Sequence, residues 1–189
     1  MAKIIVVTGT PGAGKTTVLN GAMKKLRGVS LVNYGDVMFE ISKERGIKSR
    51  DDLRKQALEV QRDIQTRAAE KIVSMSKGVT IVDTHSTIRT PHGYIPGMPE
   101  WVIKSLKPSI IVLVEASPKQ IAKRRAKDKT RARDSEAVAE IELQQNINRM
   151  FASAYAAMTG ASVEIIINAD NKLNQAVSEL IKLVESLKK

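Results

Sequence analysis

A glycine-rich segment near the beginning of the chain has the residue types and the spacing that bind phosphate groups. Residues 9–16, GTPGAGKT, match the pattern G-x-x-x-x-G-K-[ST] in full. Glycines let the backbone turn tightly and direct its N–H groups at phosphate oxygens. Lys15 can reach the β- and γ-phosphates, and the Thr16 hydroxyl can bind Mg²⁺. The segment predicts a phosphate-binding loop made of Gly9, Thr10, Pro11, Gly12, Ala13, Gly14, Lys15 and Thr16.

The flanks of this loop match the structural context that the motif requires. Residues 3–8 form a short apolar, β-branched run typical of a buried strand, and a helical pattern covers residues 15–26. The helix N-terminus adds its positive dipole end to the site. These flanks favour a true phosphate loop over a chance match in a glycine-rich turn.

Asp83 is the candidate for holding a metal beside the loop. It ends the apolar segment Val79–Asp83, where proteins with this loop place an acid for the metal ion of the nucleotide. An Asp after a strand also occurs as a turn residue or a helix cap, but the phosphate loop favours a metal role, direct or through water. We therefore expect Thr16 and Asp83 to hold Mg²⁺ with ATP as substrate. The chain has no cysteine, which excludes disulfides and a structural metal on thiolates.

A cluster of arginines and lysines supplies the positive charge that phosphoryl transfer needs. Residues 119–134 carry eight positive and two negative charges, a more one-sided mixture than a solvated helix face normally has. Planar guanidinium groups bind phosphate oxygens in a bidentate manner. We expect Arg124, Arg131 and Arg133 to contact ATP and the transition state, whereas Lys119 and Lys123 are equally well explained as solvated surface.

A second set of residues is predicted to bind the acceptor of the phosphoryl group. Arg54, near the start of a helical pattern, and Arg89, in a Pro-rich segment, are candidates for the acceptor phosphate, with surface salt bridges as the alternative. Gly35 and Asp36 precede a helix, so Asp36 is either a ligand or only an N-cap. The same second set includes one further phosphate ligand, Arg149.

His85 follows the candidate metal ligand by two residues. A role as general base is conceivable, but transfer between phosphates has little need of one. We interpret His85 as an orienting or packing residue and His92 as solvent-facing.

Five apolar segments alternate with helical patterns along the chain. The segments are residues 3–8, 29–34, 79–83, 110–115 and 163–167. The helical patterns cover residues 15–26, 37–45, 51–77, 101–106, a stretch beginning at 117, 137–159 and 172–187, and residues 85–99 are predicted to be a loop. This alternation predicts a single α/β domain over residues 1–189, with a doubly wound five-stranded parallel sheet and helices on both faces.

Composition and charge narrow the class of protein. The net charge of +11 suits an anionic partner, although excess lysine on helix faces explains part of it. Only 3% of the residues are aromatic and no RNA-binding motif is present, so a nucleic-acid partner is not expected. No apolar run reaches the roughly 20 residues that cross a bilayer. With no signal-peptide pattern, the expectation is a cytoplasmic protein without a membrane partner.

The sequence resembles the archaeal-type adenylate kinases, within the P-loop nucleoside monophosphate kinases, nearly from end to end. The segments that carry the resemblance are the loop at 9–17, which includes Thr17, then NYGD at 33–36, DDLRK at 51–55, DTHSTIRTPHGYIPGMP at 83–99 and TRARD at 130–134. The loop occurs in many families, whereas residues 83–99 are specific to this one. In many bacterial relatives an acid is followed shortly by a Pro-Arg pair; here residues 84–88 are inserted, and Arg89 takes the role of that arginine.

The resemblance implies the reaction ATP + AMP ⇌ 2 ADP with Mg²⁺. It also implies an acceptor-binding helical segment at about 35–77, a short lid at about 127–135 and assembly into a homo-oligomer, a homotrimer in archaeal relatives. It places Arg124 near the adenine and the phosphates of ATP, and Arg131 and Arg133 on the lid. The residues alone leave other acceptors open, namely CMP, UMP or a deoxynucleoside monophosphate. A basic P-loop NTPase that binds nucleic acid is the alternative from another class.

Overall fold

The computed structural model describes residues 2–127, with the side chain of residue 127 excepted, and residues 138–188. The strands of the described part are β1 (Lys3–Gly9), β2 (Val29–Asn33), β3 (Val79–Asp83), β4 (Thr87–Thr90), β5 (Gly93–Pro96), β6 (Ile110–Glu115) and β7 (Ser162–Ile167). Its helices are α1 (Lys15–Met23), α2 (Tyr34–Lys43), α3 (Arg50–Arg54), α4 (Leu58–Met75), α5 (Glu100–Leu106), α6 (Pro118–Lys127), α7 (Val138–Thr159) and α8 (Leu173–Ser186).

Five of the strands form one parallel sheet in the order β2-β3-β1-β6-β7. The strand β1, which leads into the phosphate loop, lies in the middle, where it pairs with β3 and β6. The carboxyl ends of parallel strands meet at one edge of a sheet, and ligands of open α/β folds bind in the crevice beyond that edge. The central position of β1 therefore places the loop in the middle of that crevice.

Alternate residues of the central strands point into two separate cores, one on each face of the sheet. Ile4 and Val6 pack with residues of α2, α4, α5 and α7. Their neighbours Ile5 and Val7 pack on the other face with residues of α1 and α8. Because both faces are covered, the strands read as continuous apolar runs. The predicted doubly wound α/β fold is confirmed.

The helix predicted over residues 51–77 is wrong in its continuity, because the structure divides it into α3 and α4. The backbone turns extended at Ala57, with φ −54° and ψ 149°. The side chain of Gln61 donates hydrogen bonds to the carbonyl oxygens of Arg54 at 3.1 Å and Gln56 at 2.7 Å, which satisfies groups left open at the end of α3. Leu53 and Ile64 nevertheless lie in the same core. Helical spacing of apolar residues thus continues across the break and hides it.

The loop predicted over residues 85–99 is also wrong in part, because it contains the antiparallel hairpin β4–β5. Arg89 pairs with Tyr94 across the two strands. Gly93 adopts φ +117°, which only glycine reaches easily, and the Thr90 hydroxyl donates to the carbonyl oxygen of Gly93 at 3.0 Å. The two-stranded sheet tolerates the prolines because both of its strands are edges.

Two predicted helix ends are confirmed. The Ser117 hydroxyl accepts a hydrogen bond from the backbone N–H of Gln120 at 3.3 Å, and Pro118 is the first residue of α6. The residue Gly160, with φ +75°, follows the last residue of α7. Within the described ranges, no helix has the length and apolar character to cross a membrane.

Candidate active site

The phosphate loop joins the end of β1 to the start of α1. Gly12 and Gly14 adopt left-handed φ values of +90° and +87°. A Cβ atom on Gly9 would lie 2.5 Å from the carbonyl oxygen of Val114, so the strand β6 can only pass this closely beside a glycine. None of the described side chains caps the beginning of α1. The loop therefore presents backbone N–H groups and a helix N-terminus to an anion.

Lys15 and Asp83 form the charged centre of the site. The Lys15 ammonium contacts the Asp83 carboxylate, and both side chains are largely buried. Burial lowers the pKa of Lys15 to about 8. The other carboxylate oxygen of Asp83 accepts a hydrogen bond from the amide of Asn33 at 3.0 Å. The carboxylate is thus fixed from two sides at the carboxyl end of β3.

The donor atoms at this centre fit Mg²⁺ held together with a nucleotide. Thr16 offers a hydroxyl oxygen and Asp83 a carboxylate oxygen, which are ligand types that Mg²⁺ accepts alongside phosphates and water. In the described ranges no group of three or more His, Cys, Asp or Glu side chains gathers as a metal cage. Thr16 and Asp83 are the residues of this site that would hold the ion.

A small recess of about 230 Å³ lies beside the loop, on the side of α6. Arg124 donates hydrogen bonds to the carbonyl oxygens of Ala13 at 3.3 Å and Asn168 at 2.9 Å, and pairs with Asp170 at 2.7 Å. The amide of Asn168 also donates to the Ala13 carbonyl at 2.9 Å. The recess is lined by Gly14, Thr17, Arg124, Asn168, Ala169, Asp170, Asn171 and Leu173. Arg124 therefore lies against the loop, and its predicted contact with the adenine and the phosphates of ATP stays a prediction.

A larger cavity of about 1140 Å³ opens on the other side of the loop, a volume that suits a nucleotide-sized ligand. Its wall includes Gly9 and Pro11 of the loop, Arg54 and the hairpin residue Arg89. Arg54 is exposed and pairs with Asp51 at 2.8 Å. Arg89 lies 3.7 Å from Glu140. The structure thus brings both candidate acceptor arginines to the same cavity as the phosphate loop.

His85 lies in the wall of this cavity, with part of its ring open to solvent. Its pKa is lowered to about 4, because the surrounding walls desolvate the ring and because Lys15 and Arg54 are nearby cations. The imidazole is therefore neutral at physiological pH. The orienting or packing role of His85 stays a prediction.

Other predicted residues are placed apart from the cavity wall. Arg149 makes a bidentate pair with the buried carboxylate of Glu115, with distances of 2.9 and 2.5 Å. Asp36 pairs with Arg50, and the N-cap of α2 is Asn33, whose side-chain oxygen accepts from the Asp36 N–H at 3.0 Å. Gly35 lies in the first turn of α2. The predicted residues Arg131 and Arg133, and most of the lid at about 127–135, lie outside the described residues.

Several polar residues of the site were not singled out by sequence reasoning. Arg125 is buried, donates to the Pro11 carbonyl at 2.8 Å and lines the larger cavity. Asn168 directly follows β7, so the rule that sites gather at carboxyl ends of strands points to it. Asn148 lies in the middle of α7, and its sequence context carries no signal of a role. Asn33 stands in the NYGD segment at 33–36 that carries the family resemblance, and no separate role was predicted for it.

The fold and the site together define a P-loop nucleotide-binding protein of the phosphotransferase type. The profile described as an AAA domain matches residues 8–142. The chain is 52% identical to a protein named adenylate kinase from Methanopyrus kandleri, over 99% of this chain and 100% of that protein. It is 50% identical to one of the same name from Methanothermobacter thermautotrophicus, over 97% of this chain and 100% of that protein. The chain belongs to the adenylate kinase family.

Solved structures share the fold at low sequence identity. A shikimate kinase from Bacteroides thetaiotaomicron superposes with a TM-score of 0.60 at 15% identity, over 98% of this chain and 99% of that chain. A shikimate kinase from Acinetobacter baumannii gives 0.59 at 19% identity, over 100% of this chain and 96% of that chain. At these identities the likeness concerns the fold alone.

Proposed function

We propose that the protein is an adenylate kinase that transfers the γ-phosphoryl group of ATP to AMP and forms two ADP. The observation that carries the proposal is the 52% identity, over the whole of both chains, to a protein named adenylate kinase. The site supports it independently, because the phosphate loop and a cavity of nucleotide size share a wall.

The donor nucleotide is proposed to bind with its phosphates in the loop and its adenosine toward the recess beside Arg124. The loop N–H groups and the ammonium of Lys15 neutralise the phosphates. Arg124 and Asn168 both contact the Ala13 carbonyl, so they hold the loop in shape. Gly14 must be glycine here, because a Cβ atom would lie 2.3 Å from the amide nitrogen of Asn168.

The acceptor is proposed to occupy the larger cavity, with its phosphate between Arg54 and Arg89. Both guanidinium groups line that cavity, and each forms an ion pair with an exposed carboxylate, Asp51 or Glu140, with which a phosphate can compete. Leu58 and Trp101, together with Gln65, line the same cavity and provide an apolar wall with one amide for a base. Trp101 donates to the side-chain oxygen of Gln65 at 3.0 Å, which fixes the orientation of that amide.

The chemistry asks the protein for positioning and for positive charge rather than for a base. The attacking group is a phosphate oxygen of the acceptor, which is already anionic, so no proton has to be removed. The low pKa of His85 makes its imidazole a weak base, and this mechanism needs none. Arg131, Arg133 and Arg149 remain proposed contributors to phosphate binding. When bound, Mg²⁺ at Thr16 and Asp83 supplies further neutralisation of phosphate charge.

The assembly and the location of the protein are proposed on the family resemblance. We propose a homotrimer, which light scattering after gel filtration tests as three times the 20.7 kDa of one chain. We also propose a cytoplasmic location, where ATP and AMP are both present. A chain without cysteine is consistent with it.

The decisive experiment mixes the protein with ATP, AMP and Mg²⁺ and measures ADP. A panel of AMP, dAMP, CMP, UMP and GMP then gives the acceptor preference, and ADP formation fastest with AMP is expected. EDTA is expected to stop turnover while the melting temperature of the ligand-free protein stays the same. The proposal is contradicted if no ADP forms from ATP and AMP. If CMP or UMP reacts faster than AMP, that nucleotide and not AMP is the preferred acceptor.

A further inference from the structure

One buried side chain connects the phosphate loop with the hairpin that carries an acceptor arginine. Asn148 lies in the middle of α7, is 4% exposed and lines the larger cavity. Its amide nitrogen donates to the hydroxyl of Thr10 in the loop at 3.1 Å. Its amide oxygen accepts from the hydroxyl of Thr87, the first residue of β4, at 2.6 Å. Both ends of one amide are therefore used, one on each side of the cavity.

The helix that carries this amide is itself anchored beside the hairpin and at the end of β6. The backbone carbonyl of Asn148 accepts from the Ser86 hydroxyl at 3.0 Å. One turn earlier, the amide of Gln145 donates to the carbonyl of Ala116 at 3.1 Å. Two turns later, the Tyr155 hydroxyl donates to the carbonyl of Ser86 at 2.8 Å. Because these bonds fix the backbone around Asn148, its side chain cannot move far with Thr10 or Thr87. Its two hydrogen bonds therefore set the separation of these two residues.

The two partners belong to opposite halves of the proposed reaction. Thr10 is part of the loop that would hold the donor phosphates. Thr87 is the first residue of β4, and Arg89 follows it by two residues. Residues two apart in a strand lie on the same face. Both hydroxyls are buried, so neither finds water as a substitute partner if the amide is lost. Removing it would leave the loop and the hairpin free to shift relative to each other.

We propose that Asn148 is a positioning residue that fixes the distance between the donor loop and the acceptor hairpin. It acts through Thr10 and Thr87 and sets how well the two bound nucleotides line up. The inference rests on the proposed function, because it needs two nucleotide sites. A loss of alignment affects ligands that engage both sites at once and leaves the binding of either nucleotide alone nearly unchanged, since each half-site keeps its own contacts.

The test compares Asn148→Ala with the wild type in binding and in turnover. The bisubstrate compound Ap5A, which spans both sites, is expected to bind at least about tenfold more weakly, because small displacements of aligned groups are costly. The dissociation constants of ATP alone and of AMP alone should change by less than about threefold, since each half-site is intact. With saturating ATP and AMP, kcat should fall by about tenfold or more while both KM values stay within threefold.

Two further variants separate positioning from folding. Ser153→Ala is the matched control, since Ser153 is an exposed polar residue of the same helix and none of the described hydrogen bonds involves its side chain. It should leave Ap5A binding and kcat unchanged. Thr87→Val removes the hydroxyl at nearly constant volume and should reproduce the Ap5A and kcat defects. The double variant Asn148→Ala/Thr87→Val should be no worse than the poorer single variant, because residues in one network are not additive.

The proposal is overturned if Asn148→Ala folds and binds Ap5A within about twofold of the wild type, which is within the scatter expected of independent sites. A uniform loss of affinity for ATP, AMP and Ap5A also overturns it, because that is the result of a purely structural role. If Asn148→Ala does not fold, a fully active Thr87→Val rejects it instead. A wild type that makes no ADP from ATP and AMP is a failure of the proposed function, which is a different result.

Discussion

At the scale of single residues, Lys15 carries its charge in a largely buried position, where desolvation makes that charge unfavourable. Burial lowers its pKa to about 8, and the Asp83 carboxylate is its partner in the ligand-free protein. A cation kept partly desolvated binds phosphate more strongly than one in water. The residue is therefore placed to bind an anion, and its stabilising role in folding is secondary.

Lys15→Ala should abolish turnover while the protein stays folded. Removal of one preorganised charge from a site of developing charge costs about 10²–10³ in kcat. Folding stability should fall by about 1–3 kcal/mol, because one buried oxygen of Asp83 loses Lys15 while the other keeps its hydrogen bond from Asn33. ADP formation and the circular-dichroism melting curve measure the two effects. Near-normal activity of Lys15→Ala would show that the loop does not bind the reacting phosphates.

Arg54→Ala should raise the KM for AMP and leave kcat nearly unchanged. An arginine that binds the acceptor equally in the ground state and the transition state contributes uniform binding. One charged hydrogen-bonding partner of this kind contributes about 1.5–3 kcal/mol, which corresponds to roughly a 10- to 150-fold rise in KM. Its ion pair with Asp51 is exposed, so stability should change by less than about 1 kcal/mol.

Arg45→Ala is the control for this variant. Arg45 also forms an exposed ion pair, with Asp63 at 2.6 Å, but does not line the cavity. Its removal should change neither KM. Steady-state kinetics with each nucleotide varied in turn decide the question. An effect of Arg54→Ala on the KM for ATP alone would place Arg54 on the donor side.

The sequence singled out most charged residues of the candidate site, but neither Arg125 nor the amides that contact these residues. Lys15 and Asp83 were singled out by a motif and a strand end, and Arg124 by a basic cluster and the family resemblance. Asn148 and Asn33 were not, since their partners lie 138 and 50 positions away along the chain. An asparagine that satisfies two distant groups has no local pattern, and only the folded arrangement shows it.

At the scale of elements, the hairpin β4–β5 is fixed to the site by close backbone contact. The Gly97 N–H donates to the carbonyl of Ser86 at 2.8 Å, and a Cβ atom on Gly97 would lie 2.0 Å from the carbonyl oxygen of His85. Glycine is required here by the approach of two backbone segments. The hairpin with Arg89 is thereby held close to His85 at the cavity.

Gly97→Ala should destabilise the protein and disturb acceptor binding together. Backbone atoms have to move to admit the methyl group, which costs about 2 kcal/mol or more. The displaced hairpin carries Arg89, so the KM for AMP should rise more than the KM for ATP. Urea unfolding and steady-state kinetics measure the two effects.

Gly160→Ala is the control for Gly97→Ala, because it introduces backbone strain without a steric clash. Gly160 has φ +75° with open space around it, so alanine there should cost about 1–2 kcal/mol and leave both KM values unchanged. A Gly97→Ala variant that is as stable and active as the wild type would mean that the two backbone segments do not approach as described.

The elements themselves were predictable to different degrees. The five parallel strands and most helices follow from apolar runs and helical spacing, because burial on one or two faces sets those patterns. The break between α3 and α4 and the hairpin did not follow. In the first case the helical spacing of apolar residues continues past Ala57, which is itself exposed, and in the second three prolines mask the strands. Both the helix break and the hairpin depend on turn residues and on side-chain caps, which give only weak signals in a single sequence.

At the scale of the whole molecule, α7 joins the core to the site. Ala152 and Tyr155 of this helix belong to the core that covers one face of the sheet. The Tyr155 hydroxyl donates to the carbonyl of Ser86 at 2.8 Å and accepts from the Met98 N–H at 3.4 Å, next to the two ends of the hairpin. The stability of the fold and the position of the acceptor side are therefore linked through one phenol.

Tyr155→Phe should make the folded protein less sensitive to alkali. Burial raises the pKa of Tyr155 from its ordinary value of 10 to about 12. Between pH 10 and 12 the unfolded chain therefore releases the phenolic proton while the folded protein keeps it. The unfolded state binds fewer protons in that window, so stability falls as pH rises, by about 2 kcal/mol at pH 12 for a shift of this size. Phenylalanine has no such proton, and this part of the decline disappears.

The measurement is the free energy of urea unfolding between pH 8 and 12 for the wild type and Tyr155→Phe. At pH 8 the variant should be about 1 kcal/mol less stable, because it lacks a buried hydrogen bond. The difference should shrink from pH 10 upward and reverse near pH 11, where the loss in the wild type reaches about 1 kcal/mol. Tyr34→Phe should behave in the same direction, since burial also raises the pKa of Tyr34, whose hydroxyl donates to the carbonyl of Gln65 at 2.8 Å. Parallel stability curves for the wild type and Tyr155→Phe across this window would contradict the buried position of the phenol and its link between α7 and the hairpin.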